Sequence, residues 1–133
     1  MPTIAGGHHV AFTVRDADRS AKWYQDVLGM QVVLQADEDA VRFRVLACPR
    51  SGWVVGVRQY PGREEGAFDE YRTGLDHFAF AVSSRAELEG WEQRLRELGI
   101  RFTPIARTPT GSSVIVFRDP DNIQLEFWLP AGQ

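Results

Sequence analysis

His9-Val10-Ala11-Phe12-Thr13-Val14 returns 68 positions later as His77-Phe78-Ala79-Phe80-Ala81-Val82. In each stretch large apolar residues alternate with a histidine and small residues. That is the period of a strand with one packed face and one open face. Trp23 and Trp91 follow their histidines at the same distance, inside segments with helical spacing. A strand and a helix that recur together predict a duplicated module.

Working outward, residues 8–14 read as a strand and Ala17 to Leu28 as a helix. Asp16 or Asp18 is available as its N-cap and Gly29 as its stop. Strands are expected over 30–36, 40–47 and 52–59. Residues 60–74, with Tyr60-Pro61-Gly62-Arg63-Glu64-Glu65-Gly66, read as an exposed connector or as a flap over a pocket. The order then repeats: a strand over 75–82, and a helix opened by the capping box Ser84-Arg85-Ala86-Glu87. Leu88, Trp91, Leu95 and Leu98 line that helix's inner face and Gly99 ends it. Strands over 100–105, 112–117 and 123–129 complete the copy, the last two joined by the turn Asp119-Pro120-Asp121-Asn122. The fold class is α+β: two tandem βαβββ modules, about 8–59 and 75–129, forming curved mixed sheets around a cavity within one domain.

The chain has 133 residues, 44% of them hydrophobic and 25% charged, with a net charge of −3. This is an ordinary globular composition for one domain. No basic run exists to hold nucleic acid, and no apolar run reaches the roughly 18 residues of a membrane span. Cys48 is the single cysteine, which excludes an intrachain disulfide. Residues 1–7 lack the pattern of a signal peptide, so a cytoplasmic protein is expected, acting on a small molecule without nucleic-acid or membrane partners.

The repeat register also predicts the chemistry. Past the helices the second copy is two residues longer, so Gly29 meets Gly99 and Gly56 meets Glu126. One face of the last strand carries Gln124, Glu126 and Trp128, and the other Ile123, Leu125 and Phe127. Glu126 is thus a carboxylate in the middle of an apolar strand, where it needs a cation, a donor or water. His9, His77 and Glu126 together make a two-histidine, one-carboxylate set that leaves metal positions open for substrate. Such ligands suit Fe, Mn, Co, Ni or Zn as the divalent ion. His8 is expected on the face opposite His9.

At these residues the chain resembles the vicinal oxygen chelate superfamily of glyoxalases, extradiol dioxygenases, and fosfomycin- and bleomycin-resistance proteins. The resemblance runs through 9–16, Trp23-Tyr24-Gln25-Asp26-Val27-Leu28-Gly29-Met30, 75–82 and 117–126. It implies His9, His77 and Glu126 as metal ligands, a substrate that chelates the ion through two adjacent oxygens, and a homodimer. It also implies a carboxylate or amide at Gly56 in glyoxalase-like members, and a threonine at Ala11 in fosfomycin-modifying ones. Both are missing here, so three ligands lean toward a ring-cleaving dioxygenase over a glyoxalase-like lyase or isomerase. Glu126 and Tyr60 are the catalytic candidates. Arg58, Trp128, Gln124 and Phe43 are the substrate-binding ones: Arg58 for a carboxylate or phenolate, the rings for stacking. The alternative is a protein that sequesters an antibiotic or other small molecule without chemistry.

Overall fold

The computed structural model describes residues 1–133. The chain divides into two compact units, Met1–Glu65 and Gly66–Gln133, each built of four strands and one helix.

The first unit contains β1 (His9–Thr13), α1 (Ala17–Leu28), β2 (Gln31–Asp37), β3 (Arg42–Ala47) and β4 (Val54–Gln59), with sheet order β1-β4-β3-β2. Asp16 is extended and its carboxylate accepts the Arg19 amide at 3.0 Å, which starts α1. Gly29 ends it with φ 68°, donating its amide to the Gln25 carbonyl. Ala17, Ser20, Ala21, Tyr24 and Val27 form the buried helix face. Tyr24, Leu46, Val55 and Val57 are fully buried and make the core. Arg44 is buried too, and is satisfied by Asp18 at 2.8 Å and Asp37 at 2.7 Å.

The second unit contains β5 (Phe78–Ala81), α2 (Arg85–Glu97), β6 (Ala106–Arg107), β7 (Ser113–Arg118) and β8 (Gln124–Leu129), with order β5-β8-β7-β6. Ser84 caps α2 by accepting the Glu87 amide, and the Glu87 carboxylate in return accepts from the amide and hydroxyl of Ser83 rather than from Ser84. Leu88 and Leu95 are fully buried, and Trp91 stacks on Phe127 at 4.4 Å. Leu98 differs from the expected inner face. It is the C-cap and is 45% exposed.

The parallel ladders of the two sheets repeat each other in register. Ala11 pairs with Gly56 in one and Ala79 with Glu126 in the other, both in parallel strands. Val14 donates to the Arg58 carbonyl as Val82 does to that of Trp128. Ladder geometry therefore supports the alignment of Gly56 with Glu126 independently of the residue types.

One expected strand is reduced to fragments. Over 100–105 only Phe102 bridges to Phe117, and β6 supplies two further residues. Pro104 has no amide to give a ladder. The Val116 amide goes to the Thr103 hydroxyl at 3.0 Å, and the Ile105 amide to Glu92 of α2 at 3.2 Å. The connector is partly tied down: Phe68 donates to the Asp121 carbonyl, and its own carbonyl accepts from Asn122. No helix is long and apolar enough to cross a membrane.

Candidate functional site

In the second unit the open sheet face gathers a chain of polar groups. Glu126, at the middle of β8, is buried, and its Oε2 has no hydrogen-bond partner. His77 Nε2 lies 3.5 Å from that oxygen. The other imidazole nitrogen, Nδ1, is 2.6 Å from Asp76 Oδ1. Gln124 donates from Nε2 to the carboxylate and carbonyl of Asp76 at 3.2 and 3.3 Å. Arg118 donates to Gln124 Oε1 at 2.9 Å and grips Glu70 with two bonds of 3.0 and 2.7 Å.

Strand chemistry explains the placement. β8 alternates, so Leu125, Phe127 and Leu129 pack inward while Gln124, Glu126 and Trp128 take the other face. The strand that follows His77 begins only at Phe78. Residues 76 and 77 therefore escape alternation, and their side chains meet. Burial pushes the Glu126 carboxyl up from its ordinary value; Asp76 adds to this and His77 opposes it. Hydrogen bonding to Arg118 holds Glu70 down at about 2.

In the first unit His9 opens β1 and is exposed. Its Nδ1 meets His8 Nδ1 at 2.8 Å, the rings set edge to face. His8 thus departs from the expected opposite face. It precedes the strand, so alternation does not govern it. Arg58 is exposed on β4 with its guanidinium 5.1 Å over the Phe43 ring. Both project from the His9 face, since Phe43 and Thr13 are the ladder partners of Arg58. Gly56 lies between Ala11 and Val45 in the same row; a Cβ there would sit 3.4 Å from the Ala11 Cβ. Tyr60 follows β4 and is 38% exposed.

Of the expected residues, the second unit brings His77, Glu126 and Gln124 into one network and leaves Trp128 half-buried on the same face. The first unit sets His9, Arg58 and Phe43 on one face. Neither unit by itself gathers three metal-ligating side chains. Asp76, Arg118 and Glu70 were not singled out from sequence. Asp76 had a signal, its position next to His77. Arg118 and Glu70 are 48 residues apart and had none.

The His77–Glu126 pair fits a divalent ion. Two ligand atoms about 2.1 Å from one ion at a tetrahedral angle stand about 3.4 Å apart. An imidazole nitrogen and a buried carboxylate oxygen without a hydrogen bond are the right donors at that spacing. A carboxylate that accepts from the far imidazole nitrogen, as Asp76 is placed to do, is what metal-bound histidines commonly carry.

Duplicated βαβββ units with an imidazole–carboxylate pair on an open sheet face define the class of protein. The model described as the Glyoxalase/Bleomycin resistance protein/Dioxygenase superfamily matches residues 6–127, and the chain belongs to that family. It is 31% identical over 123 residues to the uncharacterized protein YwkD of Bacillus subtilis strain 168, covering 91% of this chain and 94% of that one. Among solved structures, the glyoxylase/bleomycin resistance protein/dioxygenase domain from Frankia sp. EAN1pec superposes with a TM-score of 0.89 at 36% identity, over 98% of this chain and 95% of that one. The fosfomycin resistance protein FosX from Listeria monocytogenes, solved with Mn(II) and sulfate, shares the fold with a TM-score of 0.70 at 18% identity, over 98% and 95%.

Proposed function

We propose that this chain is a divalent-metal-dependent enzyme whose ion is held by His9, His77 and Glu126 and whose small substrate binds through two adjacent oxygens. The observation that carries this reading is the buried, unpartnered Glu126 Oε2 beside His77 Nε2. A divalent ion bound there supplies positive charge that stabilises the anion developing on substrate oxygens. His77 and Glu126 bring opposite halves of the donor set, and Glu126 also offsets the ion's charge. Without a cation, burial makes the Glu126 carboxyl hold a proton more tightly than an exposed one does. Arg58, supported on Phe43, offers a guanidinium to an anionic substrate group, and Trp128 offers a ring to stack on. Tyr60 is the proposed proton donor. The identity of the ion is left among Fe, Mn, Co, Ni and Zn by the ligand types. Mn(II) in the FosX structure supports metal use on this fold.

Gly56 stands where a fourth ligand would come from the first unit, so a three-ligand site with open positions favours a ring-cleaving dioxygenase over a lyase or isomerase. A second reading, a sequestering protein without chemistry, draws support from Arg58 over Phe43, a cation–ring platform that needs no metal to bind an aromatic anion. The proposed enzyme is a homodimer, because β2 is a sheet edge with Val33 and Leu34 exposed.

The test is reconstitution of the purified chain with each of the five ions, then oxygen consumption with catechols. Metal-dependent oxygen uptake, lost in His77→Ala, supports the dioxygenase. Metal binding without oxygen uptake redirects the search to isomerisation or lyase chemistry. Tight binding of aromatic anions by a chain that takes up none of the ions would overturn the enzyme in favour of sequestration.

A further inference from the structure

We infer that Asp76 is a positioning residue: it fixes His77 as the tautomer protonated at Nδ1, so that the Nε2 lone pair faces Glu126. This rests on the reading of His77 and Glu126 as metal ligands.

The direction of every bond in the relay follows from what each group can do. Arg118 has donors only. It gives two to Glu70 and one to Gln124 Oε1. That bond settles which end of the Gln124 amide is oxygen, since the reverse orientation would set two donors against each other. The Gln124 amino group is thereby turned toward Asp76, 3.2 Å from Oδ1. Asp76 Oδ1 accepts from Gln124 and stands 2.6 Å from His77 Nδ1. A carboxylate oxygen can only accept there, so Nδ1 carries a proton, and in the neutral imidazole Nε2 is then left with its lone pair. The Nε2 lone pair then points at a carboxylate oxygen 3.5 Å away that has no donor of its own. Two lone pairs facing one another are repulsive alone and become cooperative only around a shared cation.

The relay also extends to the connector. Glu70 lies in the 60–74 segment, and its two bonds to Arg118 tie that segment to the strand beside the site. Gln124 spends both ends of its amide inside the relay, which assigns it to support of Asp76 rather than to contact with substrate.

The test is tautomer assignment by two-bond nitrogen–proton correlation on the full chain, without metal, at about pH 8.5, well above the ordinary imidazole range. The chain has three histidines, so His8→Gln and His9→Gln variants assign the spectrum. Wild-type His77 is expected as the Nδ1–H form. Asp76→Ala is expected to move it toward Nε2–H and to weaken Zn(II) binding about 10–100-fold. Asp76→Asn is expected to keep the Nδ1–H form, because Gln124 holds an acceptor oxygen in the same place. His77 protonated at Nε2 in the wild type, or an unchanged tautomer in Asp76→Ala, overturns the inference. Asp76→Asn behaving like Asp76→Ala overturns the orienting part played by Gln124 and Arg118. Failure of the metal reading is separate: predicted tautomers in a chain that binds no Zn(II) leave Asp76 as the orienting group and remove the ligand role. Equal Zn(II) affinity in wild type and Asp76→Ala removes Asp76 and keeps the ligands.

Discussion

Replacing Glu126 by glutamine should stabilise the metal-free protein and destabilise it, relative to wild type, once metal is added. The Glu126 side chain is 12% exposed and one oxygen has no hydrogen bond. A buried polar group left unsatisfied costs about 1–3 kcal/mol, more when charged. Glutamine keeps the shape and one unsatisfied polar end but drops the charge, so a gain of about 1 kcal/mol near pH 8 is expected. For a chain of this size that is roughly 3–5 °C in Tm. The pH dependence follows from the direction of the shift. The folded carboxyl binds its proton more tightly than the unfolded one, whose ordinary value is 4.5. Metal-free wild type is therefore favoured at low pH and loses stability as pH rises from about 4.5 through the raised folded value. The glutamine variant lacks that fall. With ion at about 100 times its Kd, wild type gains about 2.7 kcal/mol and the variant does not, so the order of the two melting curves inverts. Thermal unfolding in chelator and in excess Zn(II), from pH 5 to 8, reads all of this. A variant less stable than wild type in chelator across that range, with a parallel pH slope, would refute the reasoning.

Further expectations follow from the same geometry. Gly56→Ala should be tolerated and stabilise by about 0.4–1 kcal/mol, since the equivalent Ala79–Glu126 pair already carries both Cβ atoms; a loss above about 1 kcal/mol in denaturant melts contradicts it. Below about pH 4.5 and toward 2, protonation of Glu70 should release the connector from Arg118, because a depressed carboxyl contributes stability only while ionised. Hydrogen exchange at the Phe68 amide should then quicken, as it should in Glu70→Gln at neutral pH. Tyr60→Phe should lower kcat by about a hundredfold or more with little change in KM if its hydroxyl moves a proton; an unchanged kcat removes it from the reaction. Light scattering at micromolar concentration should give the mass of a dimer, and a monomer mass would contradict the covering of β2.

Much of this molecule was legible in its sequence, for particular reasons. α1 was bounded correctly because Asp16 and Gly29 are strong local signals whose side-chain and backbone geometry act within one turn. The pairing of Gly56 with Glu126 was legible because duplication lets one copy calibrate the other, and both ladders bear it out. The 100–105 segment was harder, since its β-like composition conceals the loss of ladder bonds to Pro104, the Thr103 hydroxyl and Glu92. Leu98 was expected inside and is exposed; helical period alone does not say what covers a last turn. The burial of Glu126 was readable from its apolar neighbours. Its supporting network was not: Arg118 meets Glu70 across 48 residues, and Asp76 reaches His77 because β5 starts at 78, three residues later than the pattern suggests.

His9, His77 and Glu126 are proposed to serve one ion. Elemental analysis of wild type, His9→Ala, His77→Ala and Glu126→Ala, each reconstituted and dialysed side by side, tests it most directly. Close to one ion per wild-type chain and a large loss in each variant are expected. Full metal content in His9→Ala, or none in the wild type with any of the five ions, would contradict it.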